Sequence, residues 1–327
     1  MTPALPTVAF VIPVRNDAAR LGRCLASIRA NVYEGRIEIV VLDNGSTDGS
    51  ADVARAAGAD VLEMPGAAVA ELRNAGAART TGEILAFVDA DHVIDRTWIA
   101  AAVACLADAT VGAAGAPYAP PPGATWVQRA YDRLRSHRPE HREVNWLGSG
   151  NLAVRRDVFI GLGGFDSSLQ TCEDVDFCAR VRTAGWRLIA SEQLRSVHYG
   201  DPATLSALFT GELWRGRNNL TVFLRGPVTL RSIPSVAIPV IDSMCIAVAL
   251  YGVVTIAGTG WRLLMMGGAA FSALSALRSL RMNQEAARLD AGTASANFVV
   301  ACVYDLARCL ALFARADHGL RRGEARK

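Results

Sequence analysis

Three short segments of this chain are mostly apolar in runs rather than in alternation, residues 7–13 (TVAFVIP), 37–42 (IEIVVL) and 84–88 (ILAFV), and residues 60–64 (DVLEM) read as a further short strand. Between them the pattern changes to a helical one. Asn16 and Asp17 suit a helix cap, and Leu21, Leu25 and Ile28 recur at helical spacing. Residues 52–57, 71–78 and 98–106 continue the series, the second of these without bulky side chains. Strands that are apolar on both faces and alternate with helices predict a mostly parallel sheet covered on both sides.

Ligands of such sheets bind beyond the carboxyl ends of the strands. Pro13, Asp43 and Asp89 stand at three of those ends. The segment AFVDADH thus runs a buried strand into Asp89 and Asp91 at the mouth of a crevice, with His92 next. A carboxylate pair there suits a hard divalent cation that also binds phosphates. One such pair is weak on its own, since many chains carry one by chance.

Further along, GAPYAPPPGA is a turn-rich patch, and the basic stretch 129–142 reads as solvated surface. LGSGNLAVRR predicts a loop entering a strand, and GLGGFD a turn. EDVDFCARVRTAGW predicts a helix ended by Gly185, and residues 187–190 a further strand.

The C-terminal third differs. Residues 233–257 carry one charge, Asp242, and residues 261–277 form a second apolar run after the short GTG link. Each is near the roughly 20 residues that span hydrocarbon. An Asp at mid-span costs about 2.5–3.5 kcal/mol, which the surrounding Ile, Leu and Val residues offset. Asp242 is therefore expected to face protein or a polar partner. Arg225 and Arg231 precede this hairpin; Arg278, Arg281 and Arg288 follow it. The positive-inside rule then places both open ends and the N-terminal domain in the cytoplasm. Residues 298–314 are apolar but include Asp305 and Arg308, and spanning would export the basic tail RRGEARK; an interfacial helix is the expectation. A buried helical domain is the other reading of these segments. The expected division is a catalytic domain over 1–225 and a helical membrane region over 226–327.

The net charge of +3 is too small to argue for nucleic acid. Seven scattered cysteines without metal spacing read as free thiols of a reducing compartment. The first apolar run is too short for a signal peptide.

VIPVRND, VLDNGSTDGS, ELRNAGAARTTGEILAFVDADH, GSGNLAVRR with GGFD, and EDVDF follow one another in order. Over about residues 7–200 this series resembles the family 2 glycosyltransferases, inverting enzymes of the GT-A fold. The strength lies in five ordered motifs, not in any one.

The resemblance implies an α/β GT-A fold and a nucleotide-diphosphate sugar donor, usually a UDP-sugar. Pro13 and Arg15 correspond to positions lining the nucleotide pocket. Asp43 corresponds to the aspartate that binds the base; capping the NGSTDG turn is its compatible second role. Arg73 corresponds to an arginine near the nucleotide, although the segment reads Leu72-Arg73-Asn74 where Ala-Arg-Asn is common; a surface helix residue is the alternative. Asp89 and Asp91 correspond to the DxD motif, Asp91 as direct ligand of Mn²⁺ or Mg²⁺, Asp89 as contact to ribose or sugar and further metal ligand. His198 corresponds to a histidine that completes the metal site in many GT-A enzymes, with a core or surface histidine as alternative. His92 is expected to point outward as a surface histidine, with metal binding by its neutral imidazole as the alternative. Gly148, Ser149, Gly150 and Asn151 correspond to the segment approaching donor and acceptor. Asp174 corresponds to the catalytic base, expected to be ionised without tuning. Glu173 is expected to orient the acceptor or its loop, and Asp176 to be structural. A charged helix N-terminus is the plain alternative for the acidic run.

The implied protein is a glycosyltransferase of the inner membrane, with its catalytic domain cytoplasmic and a lipid-linked or saccharide acceptor, in exopolysaccharide or envelope glycolipid synthesis. A polyprenyl-phosphate sugar synthase shares these features. A processive synthase is disfavoured because ELWRGRNNL lacks QxxRW. VIPVRND lacks the Gly-rich start of nucleotidyltransferases. A non-catalytic nucleotide-binding relative is the reading of another class.

Overall fold

A computed structural model describes residues 4–135, 141–226, 230, 232–256 and 258–314. Arg231 and the tail RRGEARK, which bear on the expected topology, lie outside them, as does part of the basic stretch 129–142.

The described chain forms two compact units. The first holds residues 4–121 and 141–200. It contains, in order, β1 (Val8–Val14), α1 (Ala18–Arg29), β2 (Ile37–Asp43), α2 (Ser50–Ala56), β3 (Asp60–Glu63), α3 (Val69–Arg79), β4 (Ile84–Val88), β5 (His92–Ile94), α4 (Trp98–Leu106), β6 (Val111–Gly115) and β7 (Tyr118–Ala119). α5 (Trp126–Arg135) belongs to the second unit. The first resumes with β8 (Arg142–Glu143), β9 (Asn151–Arg155), α6 (Arg156–Gly161), α7 (Glu173–Thr183), β10 (Arg187–Ala190) and β11 (Ser196–His198).

Eight strands form one sheet in the order β3-β2-β1-β4-β9-β6-β10-β8. β3, β2, β1 and β4 run parallel, as expected. β9 enters antiparallel between β4 and β6, so the sheet is mainly rather than wholly parallel. All seven residues of β1 are buried. Val8, Phe10, Ile12 and Val14 face the core made with α1 and α4, whereas Ala9 and Val11 face the core made with α3, α6 and α7. Burial on both faces is why the strand is apolar without alternation. α7 ends before Gly185, whose φ is +87°.

A second sheet of three short strands, β5-β11-β7, lies in the same unit. It was not legible in the sequence, because strands of two or three residues carry no periodicity.

The second unit holds residues 122–135 and the described residues from 201 onward. The expected boundary at residue 225 therefore does not coincide with this division: α8 (Leu205–Arg215) and α9 (Asn219–Arg225) join α5 in the helical unit. α5 lies in the region read as solvated surface, yet Val127, Ala130 and Tyr131 are buried with Leu208, Met282 and Val300. α10 (Pro234–Val254), α11 (Gly260–Gln284) and α12 (Ala291–Ala311) follow. All three are long and apolar enough to cross a membrane by length and composition. Asp242 is fully buried, facing protein as expected. Asp305 of α12 accepts hydrogen bonds from Ser275 Oγ and Arg278 Nε of α11, both at 2.8 Å.

Candidate active site at the carboxyl ends of the strands

The loops after β1 and β2 are knitted together. Asp43 is 2% exposed; its Oδ1 accepts the Ser46 N–H at 2.6 Å, which closes the NGSTDG turn. Its Oδ2 is buried without a hydrogen-bond partner among the described residues. Asn16, at φ +50°, accepts the Thr47 N–H at 2.7 Å, and its own N–H donates to Ser46 Oγ at 3.0 Å. Asp17 stands at the N-cap of α1 as expected but makes no side-chain capping bond; Asp48 reaches from the loop after β2 to accept the Ala18 N–H at 2.9 Å. Pro13 is buried and Arg15 exposed at the same strand end.

Arg73 is not a surface residue. Its side chain is 3% exposed and bridges two acids, with Nη2 2.6 Å from Asp89 Oδ1 and Nη1 2.6 Å from Glu173 Oε1. Glu173 Oε1 also accepts the Ser149 hydroxyl at 3.1 Å. One cation thus ties the end of β4 to the first turn of α7. Charge-assisted bonds of this kind are strong and directional.

Asp174 follows Glu173 in that turn. Its Oδ2 accepts the Ser149 N–H at 3.3 Å, and Oδ1 the Val175 N–H at 2.8 Å. Burial, then the negative charge of Glu173, push its carboxyl up to about 7 against the pull of Arg73. This departs from the expectation of an untuned acid: the carboxylate is half-buried and has a like charge beside it. Asp176 pairs with Arg180 at 2.8 Å, a bond within the helix that fits the structural role expected of it.

The small sheet builds a third feature. β11 pairs antiparallel with β5 in a register that sets His198 opposite His92. His198 Nε2 lies 3.3 Å from Asp91 Oδ2, and the two imidazole rings are 4.6 Å apart. His92 therefore does not point outward. It is 1% exposed, with Nδ1 2.9 Å from Ser196 Oγ and its ring edge-on to Tyr118 at 4.5 Å. Asp91, His92 and His198 each offer a ligand atom, all within 4.8 Å of one another. Asp89 lies outside this group.

These residues fit a divalent cation. Asp91 Oδ1 is buried with no hydrogen-bond partner among the described residues. Burial would raise the Asp91 carboxyl, but the hydrogen bond and charge of His198 hold it below the usual carboxylate range. Space is kept by Gly200: a Cβ there would sit 1.9 Å from Asp91 Oδ2 and 2.9 Å from His198 Nε2.

The segment before β9 divides by role. A Cβ on Gly150 would lie 2.6 Å from Asp89 Oδ2, so this close approach requires glycine. Asn151, expected beside the donor, is 1% exposed and spent inside the core. Its Oδ1 accepts Trp98 Nε1–H at 2.8 Å, and its Nδ2 donates to the carbonyls of Ala116 (3.2 Å) and Leu194 (2.8 Å). It braces the sheet rather than facing a ligand. Tyr118, Ser196 and Gly200 were not singled out by sequence; only the β5-β11-β7 sheet brings them to Asp91.

The mainly parallel sheet and the likeness to a solved structure give the chain a GT-A-like fold. The mannosyltransferase PcManGT of Pyrobaculum calidifontis, solved with GDP-Man and Mn²⁺, superposes with a TM-score of 0.62 at 20% identity, covering 94% of this chain and 88% of that one. Residues 9–160 match the family described as Glycosyl transferase family 2. Glycosyltransferase AglE of Haloferax volcanii is 28% identical over 249 residues, 73% of this chain and 81% of that protein. The succinoglycan biosynthesis protein ExoA of Rhizobium meliloti is 25% identical over 289 residues, 81% of this chain and 85% of that protein.

Proposed function

We propose that the protein transfers a sugar from a nucleotide-diphosphate donor to a hydroxyl of a lipid-linked or saccharide acceptor, with inversion at the anomeric carbon. The observation that carries this reading is the Arg73 bridge, which joins Asp89 to Glu173 and so sets the donor-side DxD segment beside Asp174. The free Oδ2 of Asp43 accepts from the base, with Pro13 and Arg15 at the same pocket. Asp89 faces the ribose or sugar with Arg73 orienting it. Asp91 and His198 hold the cation, Mn²⁺ or Mg²⁺, with His92 in reach. When bound, such an ion neutralises diphosphate charge and stabilises the leaving group.

Asp174 accepts the proton of the acceptor hydroxyl as its oxygen attacks the anomeric carbon. The bond from that carbon to the diphosphate oxygen breaks on the opposite face, and the electron pair leaves with the nucleotide. Glu173 positions Asp174 through the shared contact to Ser149. Membrane attachment follows from α10 and α11 spanning as a hairpin. α12 lies at the interface, consistent with its apolar stretch being the most buried of the three at 39%. A catalytic domain facing the cytoplasm at the inner membrane suits a lipid-borne acceptor, and the likeness to ExoA supports a role in polysaccharide assembly.

Asp174→Asn tests the reading. Nucleotide binding is expected to persist while transfer falls by roughly 10²–10⁴. Full transfer in that variant would refute the assignment. Assays with UDP- and GDP-sugars, against bare polyprenyl phosphate and against lipid-diphosphate sugars, identify donor and acceptor.

A further inference from the structure

The helical unit contains a cleft of about 260 Å³ that the transfer reaction does not use. Trp126, Arg129 and Arg133 of α5 line one side; Asp290, Thr293 and Ala296, at the start of α12, line the other. Arg129 and Arg133 are four apart on one helix, so their guanidinium groups share a face, with Trp126 one turn before.

Neither arginine forms an ion pair among the described residues. Arg129 donates to the Ala124 carbonyl. Arg133 donates from Nε to Asn297 Oδ1 at 2.9 Å, which leaves its two terminal nitrogens open. The one acid lining the cleft, Asp290, offsets one of these charges; its Oδ1 accepts the Thr293 N–H at 2.7 Å and caps the start of α12. Burial, then the like charge of Arg129, lower the Arg133 pKa despite Asp132 nearby. Among the residues lining the cleft, the two arginines exceed Asp290 by one positive charge, and the open terminal nitrogens of Arg133 suit an anion with several acceptor oxygens.

The setting narrows the anion. Trp126 is 44% exposed, an apolar ring with a polar edge beside two cations. The cleft follows directly on α11, at the open end of the α10–α11 hairpin, after Arg281 and Arg288 and beside the exposed Leu289. Aromatic and basic residues at the end of membrane helices mark the headgroup level.

We propose that the Trp126–Arg129–Arg133 cleft binds the phosphodiester headgroup of an anionic bilayer lipid. The guanidinium groups hold the phosphate oxygens, and Trp126 rests at the boundary of headgroup and acyl chains. The inference depends on α10 and α11 being a membrane hairpin.

The full chain is tested by flotation with vesicles of phosphatidylcholine alone or mixed with phosphatidylglycerol, and by native mass spectrometry of retained lipid. Wild type is expected to float with both and to retain phosphatidylglycerol preferentially. Arg129→Gln should weaken that preference, and the double variant with Arg133→Gln should cut it by roughly thirtyfold, about one kcal/mol for each arginine. Lysine at both positions should preserve most of it. Trp126→Phe should remove a component of tryptophan quenching by headgroup-proximal spin-labelled phosphatidylglycerol. Flotation without headgroup preference, or a preference unchanged in the single and double glutamine variants, overturns the headgroup site alone. Complete displacement of phosphatidylglycerol by millimolar inorganic phosphate overturns it in favour of a free-anion site. Failure to float with any vesicle overturns the hairpin reading and this one together.

Discussion

His198 Nε2 stands 3.3 Å from Asp91 Oδ2 because β11 pairs with β5 in the register that sets His198 opposite His92. Two segments far apart in the chain thus converge on one candidate cation site. His198→Ala and Asp91→Asn should each weaken Mn²⁺ binding by roughly tenfold or more, measured by calorimetry or electron paramagnetic resonance. His92→Ala should also weaken it and disturb the Ser196 contact. Unchanged Mn²⁺ affinity in all three would remove the site.

Space at that pair is as testable as its ligands. Gly200→Ala places a methyl group against Asp91 Oδ2. The variant should fold, since the clashes are with two side-chain ends, Asp91 and His198, and not with backbone, but it should lose metal-stimulated donor hydrolysis. Normal stimulation would mean that Asp91 turns away freely.

The role proposed for Asp174 as base sets an expected pH dependence of transfer. A base must be deprotonated, and this carboxyl is held up to about 7 by burial and by Glu173. Activity should therefore rise with pH through about 7, and fall below it as Asp174 takes up a proton. Glu173→Gln removes a raising charge, leaves Arg73 in place, and should move that acidic limb to lower pH. A limb that stays in place after Glu173→Gln would assign the titration to another group.

Arg73 is bonded to two acids and almost wholly enclosed. Arg73→Met would leave Asp89 and Glu173 facing each other with no cation. The expected loss is about 3–5 kcal/mol of unfolding free energy, read from urea denaturation. A variant as stable as wild type at neutral pH would show that solvent already compensates the acids.

Much of this protein was legible without coordinates. The β1, β2 and β4 segments announce themselves because a strand buried on both faces must be apolar throughout, and Asp43 and Asp89 mark strand ends because charge cannot continue into that core. α7 was readable from its acidic start and Gly185. Other features were hidden. The antiparallel insertion of β9 depends on which edge the strand meets, not on its own composition. The length and apolarity of α10 and α11 follow from sequence, whereas the joining of α5, α8 and α9 to that helical unit emerges from packing.

The same division holds within the site. Sequence by itself determined the acids at the strand ends and their order, since local polarity and spacing are properties of a single segment. Tertiary structure alone decided that Arg73 is a buried bridge, that Asn151 braces the core, that His92 turns inward, and that Asp174 is tuned. Each of those depends on desolvation and on charges brought from elsewhere in the chain, and neither is written in the segment that carries the residue.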